Sequence, residues 1–375
     1  MRVGWRLSLE PCGDDLAWSL LRADQGTAAV AVAAGIHRGV TPWRRTVERL
    51  LPRASADHSP WDCGLVDPAV ERSGSALLGL TLLPPQLREE LVRDVAAHTV
   101  TVATRGWPAV IPWEALALDT HAHTRLVERA VVRSALPLRA RPATAPAPAP
   151  RTDTGLATVD PGPVVGRGDV APLYPGGIPE DFTEAMDATS TTRRPTGGGN
   201  TSGESLERDL RTRPWCRWLY VGHIRPGTAE EPASAALVLG SPTRPEFLTA
   251  ADILANPARL PVPERVGLIG CGSADGRPLE NAGLPLVMAL AGARTITATR
   301  WILPTDRRPP VHVGTTRLAM AVLHAHHSPT VGTALRRWQC AEVEAWRVTG
   351  APEHSPLLWS AVTTFEDDGG HDELG

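Results

Sequence analysis

From residue 205 to residue 365 short apolar runs alternate with helical segments, and that alternation leaves few folds open. Arg217–Val221, Ala235–Leu239, Arg265–Gly270 and Arg294–Thr299 read as strands. Around them Leu206–Arg211, Ala250–Leu254 (behind Thr249 as N-cap), Leu284–Ala291, Thr315–His326 and Val331–Val348 read as helices, and Leu358–Phe365 as a closing strand. Nearly continuous apolar strands bury both of their faces. When they alternate with helices they form a mainly parallel sheet with helices on both faces. The expected fold class is α/β.

Upstream the pattern is looser. Residues 1–76 carry an Ala/Val run (Ala28–Ala34) and a helix over Pro42–Leu51, with no role to assign. A second region, 77–136, holds a helix over Pro85–Ala97, an alternating strand Thr99–Ala103, a proline-broken stretch Trp107–Leu116 and a strand Val127–Ser134. Residues 137–204 read as a linker and flexible segment: Pro137–Arg151 is a Pro/Ala/Arg tract, and 161–204 is rich in Gly, Pro, Thr and Asp. The acidic tail 366–375 reads as frayed.

Composition removes whole classes of chemistry. All 38 basic residues among the 375 are Arg, so lysine Schiff bases, a P-loop lysine and a Ser–Lys dyad are excluded. Against 41 acidic residues the formal net charge is −3, without the basic surplus of a nucleic-acid protein. No run approaches the ~18 apolar residues of a membrane helix, and no signal-peptide core follows the N-terminus. A cytoplasmic protein is expected, with neither membrane nor nucleic acid as partner. The five cysteines (Cys12, Cys63, Cys216, Cys271, Cys340) form no CxxC pair, which fits neither a zinc site nor a disulfide framework. Asp119, His121 and His123 lack a further ligand, and His324, His326 and His327 cap a helix end, so no metal is expected. Gly166-Arg167-Gly168 and Gly197-Gly198-Gly199 precede no helix N-terminus, and no cofactor is expected either.

Two strands in the regular half end on reactive side chains. His223 follows Arg217–Val221 and Gly222; Cys271 follows Arg265–Gly270. Chemistry in open α/β sheets gathers outside the carboxyl ends of the strands, where diverging loops expose backbone N–H groups. From adjacent strands the imidazole would take the thiol proton and the thiolate would attack a carbonyl. The two residues are 48 positions apart, close to the ~50 by which the histidine precedes the nucleophile in caspases. The alternative is a core histidine and a buried cysteine that merely end strands.

The run Trp218-Leu219-Tyr220-Val221-Gly222-His223, then Ala235–Leu239, Leu248–Ile253, Val266-Gly267-Leu268-Ile269-Gly270-Cys271-Gly272-Ser273, Ala291–Ile296 and Trp301–Pro304 resembles, in order, a CHAT domain. These are caspase-like, clan CD-type domains of bacterial cysteine peptidases. Ala334–Gln339 and Pro356–Val362 are similar to the family's closing helix and strand. Ile111-Pro112-Trp113-Glu114-Ala115-Leu116 resembles an element of its pseudo-caspase-like N-terminal portion. The resemblance covers 77–365. It implies a pseudo-caspase-like portion at 77–136, a catalytic portion at 205–365, and a regulated cysteine endopeptidase acting on a protein or peptide substrate under a protein activator. Cys271 would be the nucleophile and His223 the general base, then acid. Backbone N–H groups of Ile224 and Cys271 would form the oxyanion hole. Where the family usually has Gly after its histidine, this chain has Ile224, and a catalytically silent scaffold is the competing reading. Asp275, four residues beyond Cys271, would border the pocket for the residue before the scissile bond and favour a basic one there; a plain turn aspartate is the alternative.

Overall fold

The computed structural model describes residues 3–24, 29–53, 59–94, 98–136, 153–160, 173–174, 177–193, 202–228, 230–241, 244–256, 260–272, 283–304 and 314–366. Strands β1 (Val3–Cys12) and β2 (Asp15–Asp24) form an antiparallel hairpin, and β3 (Val30–His37) adds antiparallel to β2. In β1 the buried Trp5, Leu7 and Leu9 alternate with exposed Arg6 and Glu10, so one face meets the core. Helices α1 (Thr41–Leu50), α2 (Pro68–Leu82) and α3 (Pro85–Arg93) follow. The side chain of Asp67 caps α2 by accepting from the N–H groups of Ala69 and Val70 at 2.8 and 3.1 Å. Strand β4 (His98–Thr104) then pairs parallel with β1. After the proline-broken stretch, a single turn α4 (Leu126–Arg129) leads into β5 (Ala130–Ser134), parallel to β4. The five-stranded order is β3-β2-β1-β4-β5. Strands β1–β3 thus belong to the same sheet as β4 and β5, and α2 runs through the expected boundary at 76/77.

The stretch 137–204, expected as a linker and flexible segment, is not linker throughout. It contains β6 (Gly155–Val159), α5 (Glu180–Ala188) and β7 (Thr191–Arg193). All five residues of β6 are buried, and α5 buries Phe182, Ala185 and Met186. The Pro/Ala/Arg tract Pro137–Arg151, the glycine run 197–199 and the tail beyond Glu366 lie outside the described residues. The chain continues through α6 (Gly203–Thr212), β8 (Arg217–Val221), β9 (Ile224–Arg225), β10 (Ala236–Ser241), β11 (Arg244–Thr249) and α7 (Ala250–Ala255). Then come β12 (Arg265–Ile269), α8 (Leu284–Leu290), β13 (Thr295–Thr299), α9 (Gly314–His327), α10 (Val331–Thr349), α11 (Pro356–Trp359) and β14 (Val362–Glu366). The closing strand starts later than expected because Pro356 opens a helical turn.

The second sheet has the order β14-β13-β12-β8-β6-β7 and is parallel except for the edge strand β14. Alternation sorts its side chains: Leu219 and Val221 of β8 face the core that contains Leu318 and Val322 of α9, while Trp218 and Tyr220 face the core of α6, α7 and α8. Helices therefore cover both faces of a mainly parallel sheet. β9, β10 and β11 make a small antiparallel sheet of their own. Among the described residues no helix is long and apolar enough to cross a membrane.

A buried ion pair fastens the two sheets together. Arg300, directly after β13, holds both carboxylate oxygens of Glu114 at 2.7 and 2.9 Å and also donates to the carbonyls of Ser360 and Val362. Both partners are almost fully buried, at 1 and 2 % side-chain exposure. A second buried pair, Arg125–Glu71 at 2.9 Å, ties α4 to α2. The edge strands β5 and β14 meet through Ser134 and Thr363 (2.6 Å) and through Arg133 and Glu366 (2.5 Å).

His326, expected to interact with the dipole at a helix end, is instead a buried imidazole. It is 4 % exposed, and its Nε2 lies 2.8 Å from Thr297 Oγ1. Burial, with Arg265 and Arg217 nearby, pushes its pKa down to about 3 from 6.5. The folded chain therefore binds fewer protons than the unfolded chain between those values, and stability rises with pH across that window. Acidification from about pH 6.5 should cost up to ~1.4 kcal/mol per pH unit through this residue, a slope that His326→Gln removes in chemical denaturation followed against pH. Glu114→Ala leaves Arg300 buried without its partner and should cost about 3–5 kcal/mol in the same assay. The double replacement Glu114→Leu, Arg300→Met should cost less than that single change.

Candidate active site

The ladder between β8 and β12 decides where His223 and Cys271 sit. Arg265 pairs with Arg217, and each following pair keeps that offset up to Ile269 with Val221. One step further, Gly222 N–H donates to Ile269 O at 3.0 Å. The offset of the register is the sequence separation of His223 and Cys271, so both stand at the same level. Each is two residues past the last ladder pair, on neighbouring parallel strands about 4.8 Å apart.

Close contacts hold the two strand ends in place. A Cβ on Gly270 would lie 2.4 Å from the Gly222 carbonyl oxygen and 2.8 Å from Ile224 Cγ1, so no larger residue fits between β8 and β12 at this level. Gly272 has φ +62, the left-handed turn that carries the chain away directly after the cysteine. Its N–H donates to Trp301 O at 3.0 Å, and Thr299 Oγ1 donates to Gly270 O, so the end of β13 braces the cysteine. On the histidine side the buried Tyr220 hydroxyl lies between the carbonyls of His223 (2.7 Å) and Val238 (2.8 Å) and accepts from Val238 N–H (3.2 Å).

Ile224 replaces glycine without strain because it lies in the extended strand β9, where no positive φ is needed. His223 O accepts from Val238 N–H, and bonded and unbonded pairs alternate in an antiparallel ladder. Ile224, opposite Leu237, is the next position, so its N–H points away from β10.

The thiol itself differs from expectation. Burial pushes the Cys271 pKa up from its ordinary value, and N–H groups of Leu303 and of Cys271 itself pull the other way without cancelling it. Instead of the lowered pKa expected of an imidazole-paired thiol, the arrangement favours the protonated form. His223 is half-buried, with its ring Nε2 screened from solvent.

A family model for the CHAT domain matches residues 71–367, most of the chain. The chain belongs to the CHAT domain family. Among solved structures, the Saccharomyces cerevisiae separase–securin complex at 3.0 and at 2.6 angstrom resolution is similar to this CHAT chain at 11% identity, with a TM-score of 0.39. The similarity covers 72% of this chain but only 15% and 16% of those chains, so this chain corresponds to a small part of their length. No curated protein matches. In this CHAT domain the Ile111–Leu116 element is buried throughout, and its Glu114 is the partner of Arg300.

The other residues singled out in the sequence divide clearly. Asp275 lies outside the described residues. Asp119 accepts from the N–H groups of His121, His123 and Thr124 at 2.8–3.1 Å, which makes it a loop cap. Burial would raise its pKa, but those N–H groups outweigh it and hold the carboxyl below its usual range. His327 Nδ1 lies 2.9 Å from Asp153, at the opposite end of the sheet from Cys271. Sequence reasoning missed Tyr220, whose signal was a phenol in a buried strand that needs a partner for its hydroxyl. It also missed Asp160, the residue that follows β6. Gly270→Ala should cost about 1–3 kcal/mol in chemical denaturation and loosen the strand ends, so that iodoacetamide at pH 7 modifies Cys271 faster than in the wild type.

Proposed function

We propose that the chain is a cysteine endopeptidase in which His223 and Cys271 act as a dyad on a protein or peptide substrate. The observation that supports this reading is the shared register of β8 and β12, whose last pair lies two residues before both His223 and Cys271 at the carboxyl ends of adjacent parallel strands. The imidazole accepts the thiol proton, and Sγ attacks the scissile carbonyl carbon. The resulting oxyanion is received by the N–H groups of Ile224 and Cys271. Collapse of the intermediate breaks the C–N bond as His223 returns the proton to the leaving amine. A water molecule, deprotonated by His223, then hydrolyses the thioester and restores the thiol. A raised thiol pKa suits an enzyme that rests inactive, and the proposal therefore includes a protein activator that opens the site and lets His223 engage. A cytoplasmic setting completes it.

The same raised pKa favours one other reading, a catalytically silent CHAT scaffold that only binds a partner. Activity separates the two. Cys271→Ala and His223→Ala should each abolish cleavage while unfolding within about 1 kcal/mol of wild type, and the double variant should be no worse than either single one. In the resting chain at pH 7, iodoacetamide should modify the exposed Cys12 ahead of Cys271. Addition of the activator, sought among proteins encoded nearby, should reverse that order. Cleavage by Cys271→Ala at the wild-type rate refutes the dyad. A wild type that never cleaves, and whose Cys271 never overtakes Cys12, leaves the scaffold.

A further inference from the structure

Asp160 directly follows β6, the strand next to β8 on the side away from β12. Val159 pairs with Val221, and the Asp160 N–H donates to Val221 O at 2.6 Å, which sets this residue beside Gly222 and the histidine loop. Its φ is +45, a conformation that few side chains other than Asn and Asp adopt. One carboxylate oxygen, Oδ2, accepts from Tyr174 N–H at 3.2 Å. The other, Oδ1, is screened from solvent and receives no hydrogen bond from the described residues. Among the described arginines at this end of the sheet, Arg300 is held by Glu114 and Arg225 lies over the Phe247 ring at 4.3 Å. A buried carboxylate oxygen without a donor is costly in a folded chain, and such an atom calls for a partner from outside.

We propose that Asp160 selects the substrate: Oδ1 receives the cationic side chain, Arg or Lys, of the residue whose carbonyl Cys271 attacks. The inference rests on the dyad reading and adds the chemistry of its substrate. Asp160 and Cys271 lie on either side of β8, two strand spacings or about 10 Å apart. Only a long side chain anchored at the cysteine spans that gap, and a carboxylate at its far end requires positive charge. With one oxygen open, the contact is a single charge-assisted hydrogen bond rather than a fork, so Arg and Lys both qualify.

The test uses the full chain and two peptidyl acyloxymethyl ketones that differ only at the residue next to the warhead, arginine against norleucine. Modification of Cys271 is followed by mass spectrometry. Wild type should react faster with the arginyl reagent. Asp160→Asn, which keeps the shape and tolerates the same φ, should lower that rate at least ~10-fold while the norleucyl rate stays within about twofold. Asp275→Asn should leave the preference in place. Equal rates for the two reagents in wild type, an arginine preference that survives Asp160→Asn, or one that disappears with Asp275→Asn would each overturn the assignment while the dyad stands. Failure of both reagents to modify Cys271, with the activator present, would overturn the dyad and this inference together.

Discussion

The ion pair between Glu114 and Arg300 is the contact on which the rest of the molecule leans. It takes two charges out of water, offset by hydrogen bonds to both carboxylate oxygens and from both terminal nitrogens of the guanidinium, while Arg300 Nε has no partner among the described residues. It joins the segment after β4 to the end of β13 and the start of β14. The next residue, Trp301, offers the carbonyl that receives the N–H of Gly272, and Leu303 offers an N–H to the thiol. The first sheet is thereby linked through a few covalent steps to the position of Cys271. That gives a physical reason for an acidic residue in an otherwise apolar element, Ile111–Leu116.

The cysteine side of the site and the histidine side are held by different means. Cys271 is braced from β13, while His223 is propped through its carbonyl by Tyr220 and β10. A small shift of one strand end relative to the other would change the approach of imidazole to sulfur without unfolding either support. Burial keeps the thiol protonated in the arrangement seen here. The two strand ends are thus held by separate groups of contacts.

Much of the second sheet was legible because its strands are apolar on both faces and its helices are amphipathic. β8, β12, β13, α7, α9 and α10 all stand where the pattern placed them. The first sheet was harder to read: β1 and β2 were not expected, although Trp5, Leu7 and Leu9 alternate with Arg6 and Glu10 as in a half-buried strand. β6 and α5 were lost in the composition of their neighbours: five residues of strand and nine of helix are too short to outweigh flanking proline and glycine. The level of His223 and Cys271 was foreshadowed by the ends of two strands. The raised thiol pKa and the open oxygen of Asp160 were not, because both depend on packing between segments far apart in sequence.

The shared register of β8 and β12 has a consequence for how such a chain can vary. His223 and Cys271 are aligned by hydrogen bonds between strands, not by the number of residues that separates them. Segments inserted between β9 and α7, or after α7, would lengthen the count and leave the pair level. A single residue gained or lost inside β12 would rotate Cys271 from the α9 face, which Gly267 and Ile269 share, to the opposite face of the sheet, against the core of α6, α7 and α8. Loop length is therefore free to drift in this region, whereas strand length is locked.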